Sequence, residues 1–328
     1  MKNSIGMNSA LGFIVLLLAF SACSNEEVRL KRKADRIHEK ILTIDSHCDT
    51  PMDIEEENFN LGEKHEEGCV DFPRMKEGGL NAEFFAVFTP QGPRDDSSYR
   101  EVYSKALKIF EAIKRNVNEY PGLAGIATTP DDAYRLKKAG KIAAFIGVEN
   151  GYPVGKDLSK LREFYDLGAR YMTLAHTRNN DICDSSTDPQ GAENNGLSEF
   201  GSQVVKEMNR IGIMIDVSHI SDKAFYDVLT KSRAPVIASH SSCRALCENP
   251  RNLTDDMLLA LKKNGGVIQI CILSNYIKTP EPNPAMEVQL KELRSKYGDY
   301  NSLSSDKKKE MRAEFKSIQE KYGKLFPK

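Results

Sequence analysis

His, Asp and Glu side chains that could bind a metal ion lie at the ends of several predicted strands. His47 and Asp49 are two residues apart at the end of the first strand, so their side chains point to the same face. An imidazole and a carboxylate on one face suit a zinc-type ion, although such a pair alone is a weak signal. Further residues of these types end or follow four other apolar runs: Glu149, His176, His219 and His240. Four of the six histidines thus lie at strand ends, which favours a metal site over scattered core or surface histidines.

The elements that must position these residues alternate between short apolar runs and helical patterns. The seven predicted strands are 41–44, 82–88, 142–148, 171–174, 213–217, 235–238 and 266–273. The predicted helices are 99–118, 130–138, 158–167, 199–211, 222–230 and 254–263. Alternation of this kind predicts an α/β fold with a parallel sheet built from βα units. A TIM-type (β/α)8 barrel brings its strand ends to one mouth, so we favour it over an open doubly wound sheet, although only about seven strands are found.

Composition restricts the class of protein. The 328 residues carry 46 Lys and Arg against 47 Asp and Glu, a net charge of −1, which argues against a nucleic-acid partner. A hydrophobic fraction of 40% is ordinary for a globular chain.

We divide the sequence into a signal peptide (1–22), a linker or helix (23–40), an incomplete barrel (41–284) and a charged helical insertion (285–328).

The N-terminal segment predicts export. The apolar stretch 11–20 is too short to span a bilayer as a helix, so it is typical of the apolar region of a signal peptide. It ends in Phe20-Ser21-Ala22-Cys23, which resembles the cleavage site of a bacterial lipoprotein. We expect acylated Cys23 to hold the protein to the bacterial membrane, in the periplasm or at the cell surface; the alternative is an ordinary secretory signal. In either case disulfides can form outside the cytosol, but the sequence does not show which of the other six cysteines would pair.

Five motifs in order resemble the membrane dipeptidase family, a group of binuclear zinc peptidases. They are His47-Cys48-Asp49-Thr50-Pro51, Gly147-Val148-Glu149-Asn150-Gly151, Tyr171-Met172-Thr173-Leu174-Ala175-His176, Ile215-Asp216-Val217-Ser218-His219 and Pro235-Val236-Ile237-Ala238-Ser239-His240-Ser241-Ser242. The likeness extends from about residue 41 to residue 276. It implies a metal-dependent hydrolase barrel with two zinc ions per chain, and a dipeptide with a free C-terminal carboxylate as substrate.

The resemblance also implies a role for each site residue. His47 and Asp49 would bind one zinc ion, and Glu149 would bridge it to a second ion. His219 and His240 would bind that second ion, and a hydroxide held between the two ions would attack the peptide bond. The substrate would be held by three further residues: His176 beside its carbonyl oxygen, Arg251 on its carboxylate, and Tyr276 near Arg251.

The sequence departs from the family pattern in two places. Asn150-Gly151-Tyr152 follows Glu149 where the family commonly has Gly-Gly-His. The family also places a catalytic aspartate in a Gly-Asp-Phe-Asp-Gly-like stretch that ends its eighth strand, and these 328 residues contain no such stretch. We therefore expect a truncated chain that binds zinc but turns over poorly, unless Asp181 or Asp184 supplies the proton.

Two alternatives to the dipeptidase stay open. The chain could be a related amidohydrolase acting on a lactone or phosphoester, or a truncated metal-binding chain without activity. Its oligomeric state is also open, with a homodimer among the options.

Overall fold

The computed structural model describes residues 26–56, 59–66, 68–279, 281–298, 300 and 303–323. The chain divides into two compact units, of which the first ends at Thr43 and the second begins at Ile44. The first contains helix α1 (residues 26–40), whose side chains are exposed. Cys23, the predicted acylation site, lies outside the described residues. Among the helices described, none combines the length and the apolar character needed to span a bilayer.

The second unit is built on a parallel sheet. Its strands are β1 (Ile44–Cys48), β2 (Ala82–Phe88), β3 (Ala124–Ile126), β4 (Ile142–Glu149), β5 (Ala169–Thr173), β6 (Met214–Asp216), β7 (Ile237–Ser241) and β8 (Val267–Ile270). Seven of them pair in the order β1-β2-β4-β5-β6-β7-β8, and β3 pairs with β4. The sheet curves far enough to bring β1 close to β7. The Ser46 hydroxyl of β1 donates to the Ser239 carbonyl of β7 at 2.6 Å. The predicted TIM-type barrel is confirmed as a nearly closed barrel of seven strands.

Helices follow most strands and cover the outside of the sheet. They are α2 (Thr50–Glu56), α3 (Phe72–Gly78), α4 (Asp96–Glu119), α5 (Pro130–Lys138), α6 (Ser159–Asp166), α7 (Glu199–Ile211), α8 (Asp222–Lys231), α9 (Asp255–Asn264) and α10 (Ser274–Ile277). The six helices predicted from the sequence are all present, with ends within a few residues. Polar caps begin several of them, as at Ser221, whose hydroxyl accepts from the Ala224 N–H. The core lies between sheet and helices and includes Phe85, Ile146 and Phe164.

Two strands differ most from the prediction, and β7 and β8 also depart by up to three residues from the predicted 235–238 and 266–273. The first begins at Ile44, where the predicted strand 41–44 ends, because the polar residues that follow still pair with β2 through Asp45 and Cys48. Strand β3 was missed because it is only three residues of Ala, Gly and Ile, with no periodicity to detect. It pairs with the first half of β4, from Ile142, while β5 pairs with the second half, from Ile146.

The charged C-terminal segment forms two helices that pack on each other. These are α11 (Pro284–Tyr297) and α12 (Ser305–Tyr322). The Tyr297 hydroxyl of α11 donates to Glu314 of α12 at 2.8 Å, and Lys296 forms an ion pair with the same carboxylate. Exposed pairs of this kind contribute little to stability, and α11 also buries Met286 and Leu293.

Candidate metal centre

Four histidine rings surround the buried carboxylate of Glu149. Its Oε1 lies 3.1 Å from His219 Nε2, 3.3 Å from His240 Nε2 and 3.6 Å from His176 Nε2. Its Oε2 lies 3.5 Å from His47 Nε2. Two groups of three could each hold an ion, one formed by His47, Glu149 and His240, the other by Glu149, His176 and His219. Because Glu149 belongs to both groups, the arrangement can accommodate two ions that share one carboxylate.

The parallel strands bring these side chains together at one end of the barrel. Glu149 is the last residue of β4, and His47 and His240 lie near the ends of β1 and β7. His219 and Asn150, which follow β6 and β4, have left-handed backbones with φ of 72° and 75°. Non-glycine residues in this region carry strain that the surrounding contacts must offset, and such residues cluster at functional sites. Asn150 is held by its own side chain, which donates to the Thr89 carbonyl at 3.0 Å.

Asp49 lies at the exposed edge of the cluster. Its Oδ1 is 3.3 Å from His47 Nε2, so the pair that the sequence placed on one face does meet. Asp49 belongs to neither group of three, and 62% of its side chain is exposed. The other ring nitrogen of His47, Nδ1, lies 2.9 Å from the Tyr171 hydroxyl, a contact that the sequence analysis did not identify.

Burial and charge oppose each other at the ring nitrogens. Burial lowers the pKa of His219 and of His240 well below the usual value, and it lowers the pKa of His176 as well. Burial also acts on His47, but the carboxylates of Glu149 and Asp49 outweigh it and raise the His47 pKa to about 9. Neutral imidazole is the form that binds metal ions.

The donor set fits a divalent cation. His219 Nε2 and His240 Nε2 face each other at 2.8 Å beside a buried carboxylate. Two nitrogen lone pairs would repel each other at this distance, so a proton or a cation must lie between the two atoms. Imidazole nitrogens with carboxylate oxygens are the ligands that zinc accepts. The residues present therefore fit the ion that the resemblance implies.

The two residues predicted to hold the substrate's carboxylate lie together. Arg251 is 5% exposed, and its Nη2 donates to the His240 carbonyl at 3.0 Å. Its Nε has no hydrogen-bond partner among the described residues, and its Cζ lies 5.4 Å from the centroid of the Tyr276 ring. Arg251 is therefore buried rather than exposed on the surface, and Tyr276 is half-buried against it.

A cavity of about 380 Å³ adjoins His176. The His176 ring packs between Phe88 and His219, with centroids 4.6 and 4.2 Å away. The rest of the lining is mainly polar and includes Gln91, Arg178 and Asn179. The cavity gives room beside the histidines for a molecule of the size of a small peptide.

The two aspartates considered as substitute proton donors are engaged in loop contacts. Asp184 is fully buried and accepts the backbone N–H groups of Glu193, Asn194 and Gly196. Asp181 accepts the Tyr99 hydroxyl at 2.5 Å. These contacts give both carboxylates a structural role in their loops.

The sequence is similar to known proteins over most of its length. A family model described as membrane dipeptidase (peptidase family M19) matches residues 31–317. Dipeptidase 3 of Rattus norvegicus is 36% identical over 253 residues, 74% of this chain and 50% of the relative. Dipeptidase aclJ of Aspergillus oryzae is 34% identical over 66% of this chain and 52% of its own length. The chain thus spans about half the length of these curated relatives.

Solved structures share the fold. The probable dipeptidase PvdM from Pseudomonas aeruginosa superposes with a TM-score of 0.74 at 29% identity, over 90% of this chain and 79% of that one. A metallo peptidase from Rhodobacter sphaeroides, solved with a phosphinate mimic of the dipeptide L-Ala-D-Ala, gives a TM-score of 0.66 over 78% of this chain and 82% of that one. At 24% identity, this second likeness supports the fold alone. The matched family model covers most of the sequence, and the chain belongs to the membrane dipeptidase family, peptidase family M19.

Proposed function

We propose that this chain acts as a zinc-dependent dipeptidase that hydrolyses dipeptides with a free C-terminal carboxylate. The observation that carries the proposal is the juxtaposition of two features. Four histidine nitrogens approach one buried carboxylate, and a buried guanidinium with a free Nε lies at the edge of that cluster. The first feature suits a pair of metal ions, and the second suits a substrate carboxylate.

The proposed metal complement is two zinc ions per chain. His47 and Asp49 would hold one, His219 and His240 the other, and Glu149 would contribute an oxygen to each. When bound, such ions supply Lewis-acid activation of a water molecule near neutral pH. The contribution of the chain is to bury the His219 and His240 imidazoles, which favours their neutral, metal-binding form.

The remaining residues would orient the substrate. Arg251 would donate to the C-terminal carboxylate through its planar guanidinium, and Tyr276 would hold the guanidinium in place. His176 would donate its ring N–H to the carbonyl oxygen of the peptide bond as negative charge develops there. Burial lowers the pKa of His176, which favours the neutral ring with its single N–H.

The test compares a free dipeptide with its C-terminal amide. Loss of a buried charge-assisted pairing costs about 2–3 kcal/mol, so we expect kcat/KM for the amide to fall by roughly 30- to 150-fold. Arg251→Met should reduce kcat/KM for the free dipeptide by a similar factor and change that for the amide little. Equal rates for acid and amide in the unaltered protein would contradict the carboxylate role. They would instead favour the related amidohydrolase that acts on a lactone or phosphoester.

We also propose that the protein is exported and anchored through an acylated Cys23. The support is the sequence alone, a short apolar stretch that ends in Ser21-Ala22-Cys23. Cells fed labelled palmitate should label the unaltered protein and leave Cys23→Ala unlabelled. The Cys271→Ala variant is the matched control and should keep its label. Labelling of Cys23→Ala would contradict the proposal.

A further inference from the structure

Asp216 is a fully buried carboxylate that joins three neighbouring strands of the barrel. Its Oδ1 accepts the backbone N–H groups of Ser218 at 3.0 Å and Ser239 at 2.9 Å. Its Oδ2 accepts two hydroxyls, Ser239 Oγ at 2.6 Å and Thr173 Oγ1 at 2.5 Å. Hydrogen bonds to the charged form favour ionisation, so this carboxylate stays an acceptor for all four donors.

The Ser239 hydroxyl connects Asp216 to the metal centre. Ser239 Oγ lies 2.7 Å from His240 Nδ1. A hydroxyl has one proton, and Ser239 gives that proton to Asp216. Its oxygen can then only accept from His240, so the His240 proton must be on Nδ1. The other nitrogen, Nε2, is left with a free electron pair that faces Glu149 and His219.

We propose that Asp216, acting through the Ser239 hydroxyl, is a positioning residue that sets the tautomer of His240 and thereby the metal affinity of the site. The inference rests on the proposed metal centre and extends it beyond the residues that touch an ion. Groups that orient a ligating histidine typically change metal affinity by about 10- to 100-fold when removed.

Thr173 separates this role from a merely structural one. Thr173 and Ser239 each give one hydroxyl to the same oxygen of Asp216 at nearly the same distance, but only Ser239 contacts His240. Thr173→Val and Ser239→Ala therefore remove equivalent supports from the carboxylate. If Asp216 only joined the strands, the two variants would affect metal binding equally.

Asp216→Asn makes a stronger prediction. The backbone N–H groups of Ser218 and Ser239 can only donate, so the amide oxygen must take the place of Oδ1. The NH₂ group then faces Ser239 Oγ, which accepts from it and must turn its own proton toward His240 Nδ1. The His240 proton moves to Nε2, the nitrogen that a metal ion needs.

The first experiment reads the tautomer directly in the metal-free protein. Long-range ¹H–¹⁵N NMR of the histidine rings, with His240→Gln used to assign the signal, should show His240 protonated on Nδ1 in the unaltered protein. Asp216→Asn should show it protonated on Nε2, and Thr173→Val should resemble the unaltered protein. A proton on Nε2 of His240 in the unaltered protein would overturn the inference.

The second experiment measures zinc affinity by competition with a chromophoric chelator. We expect Ser239→Ala to bind about 10- to 100-fold more weakly, Asp216→Asn more weakly still, and Thr173→Val within about threefold of the unaltered protein. The midpoint temperature of thermal unfolding should fall by a similar amount, about 2–4 °C, in Ser239→Ala and Thr173→Val. Equal zinc affinity in those two variants would overturn the inference. Absence of zinc binding in the unaltered protein would instead overturn the proposed function, and the NMR result would still decide the tautomer.

Discussion

At the scale of single residues, Glu149 occupies the centre of the candidate site. Four ring nitrogens lie within 3.6 Å of its two oxygens. Burial raises the pKa of Glu149, and the positive charges of His47 and Arg251 oppose this shift. A buried carboxylate without a cation nearby is costly, so bound metal and this side chain should depend on each other.

Glu149→Ala should therefore remove both metal ions together. Each proposed ion loses one oxygen ligand, which leaves His47 and Asp49 alone at one ion and His219 and His240 alone at the other. Elemental analysis of purified protein should find two zinc ions per unaltered chain and close to none in the variant. Glu287→Ala, at an exposed position of α11, should keep both. A variant that keeps one ion would show that Glu149 serves a single centre.

Glu83 is a buried carboxyl group away from the histidines. It lies on β2 beside Asp45 of β1, and neither oxygen meets a side-chain donor among the described residues. Burial raises its pKa well above the usual range, the Asp45 charge adds to the shift, and the Phe84 N–H offsets only part of it. A raised pKa in the folded state gives a stabilising contribution that is present below the unfolded value of about 4.3 and lost as pH rises through the folded value.

Glu83→Gln should therefore stabilise the protein more at high pH than at low pH. Glutamine resembles the protonated acid in shape and does not titrate, so it keeps the contribution that Glu83 loses. Denaturant unfolding at pH 5 and pH 8 should show little difference between variant and unaltered protein at the lower pH. At pH 8 the variant should be more stable by at least about 1 kcal/mol. A pH-independent difference would mean that Glu83 ionises normally.

At the scale of elements, the sequence predicts most of what positions the site. The apolar runs before Glu149 and His240 and the polar residues that end them place both side chains at one barrel mouth. Contacts through the barrel interior could not be predicted in the same way. Tyr171 and Ser239 touch histidines because of strand register and barrel curvature, and neither property is encoded in local periodicity.

Gly147 illustrates how register supports the site. It pairs with Tyr171 across β4 and β5, and a Cβ at position 147 would lie 2.2 Å from the Tyr171 ring. Gly147→Ala should therefore displace the ring, break its hydrogen bond to His47 and destabilise the fold by about 1–3 kcal/mol. Zinc affinity should fall as well.

Gly122→Ala is the matched control for this substitution. Nothing lies within 4 Å of a Cβ at position 122, so the variant should unfold and bind zinc like the unaltered protein. Unchanged zinc affinity in Gly147→Ala would show that the Tyr171 contact does not matter for the site.

At the scale of the whole molecule, β8 is one of the two end strands of the described sheet. Strand β8 pairs with β7 on one side, and no described strand pairs with its other side. Apolar side chains continue along β8 and beyond it, and four of them are more than half exposed: Val267, Ile270, Ile272 and Leu273. Unpaired strand edges with exposed apolar side chains favour association between molecules.

This 328-residue chain should therefore self-associate through β8 as its concentration rises. Removing a charged lysine from water costs free energy, so lysine on an edge strand opposes edge-to-edge pairing. The double substitution Ile270→Lys with Ile272→Lys should therefore shift the population toward monomer. Tyr134→Lys, which removes an exposed apolar side chain from α5, should leave association unchanged. Sedimentation velocity over a range of concentrations gives the measurement, with zinc content as a check that each variant is folded. If the double variant associates as strongly as the unaltered chain, another surface brings the molecules together.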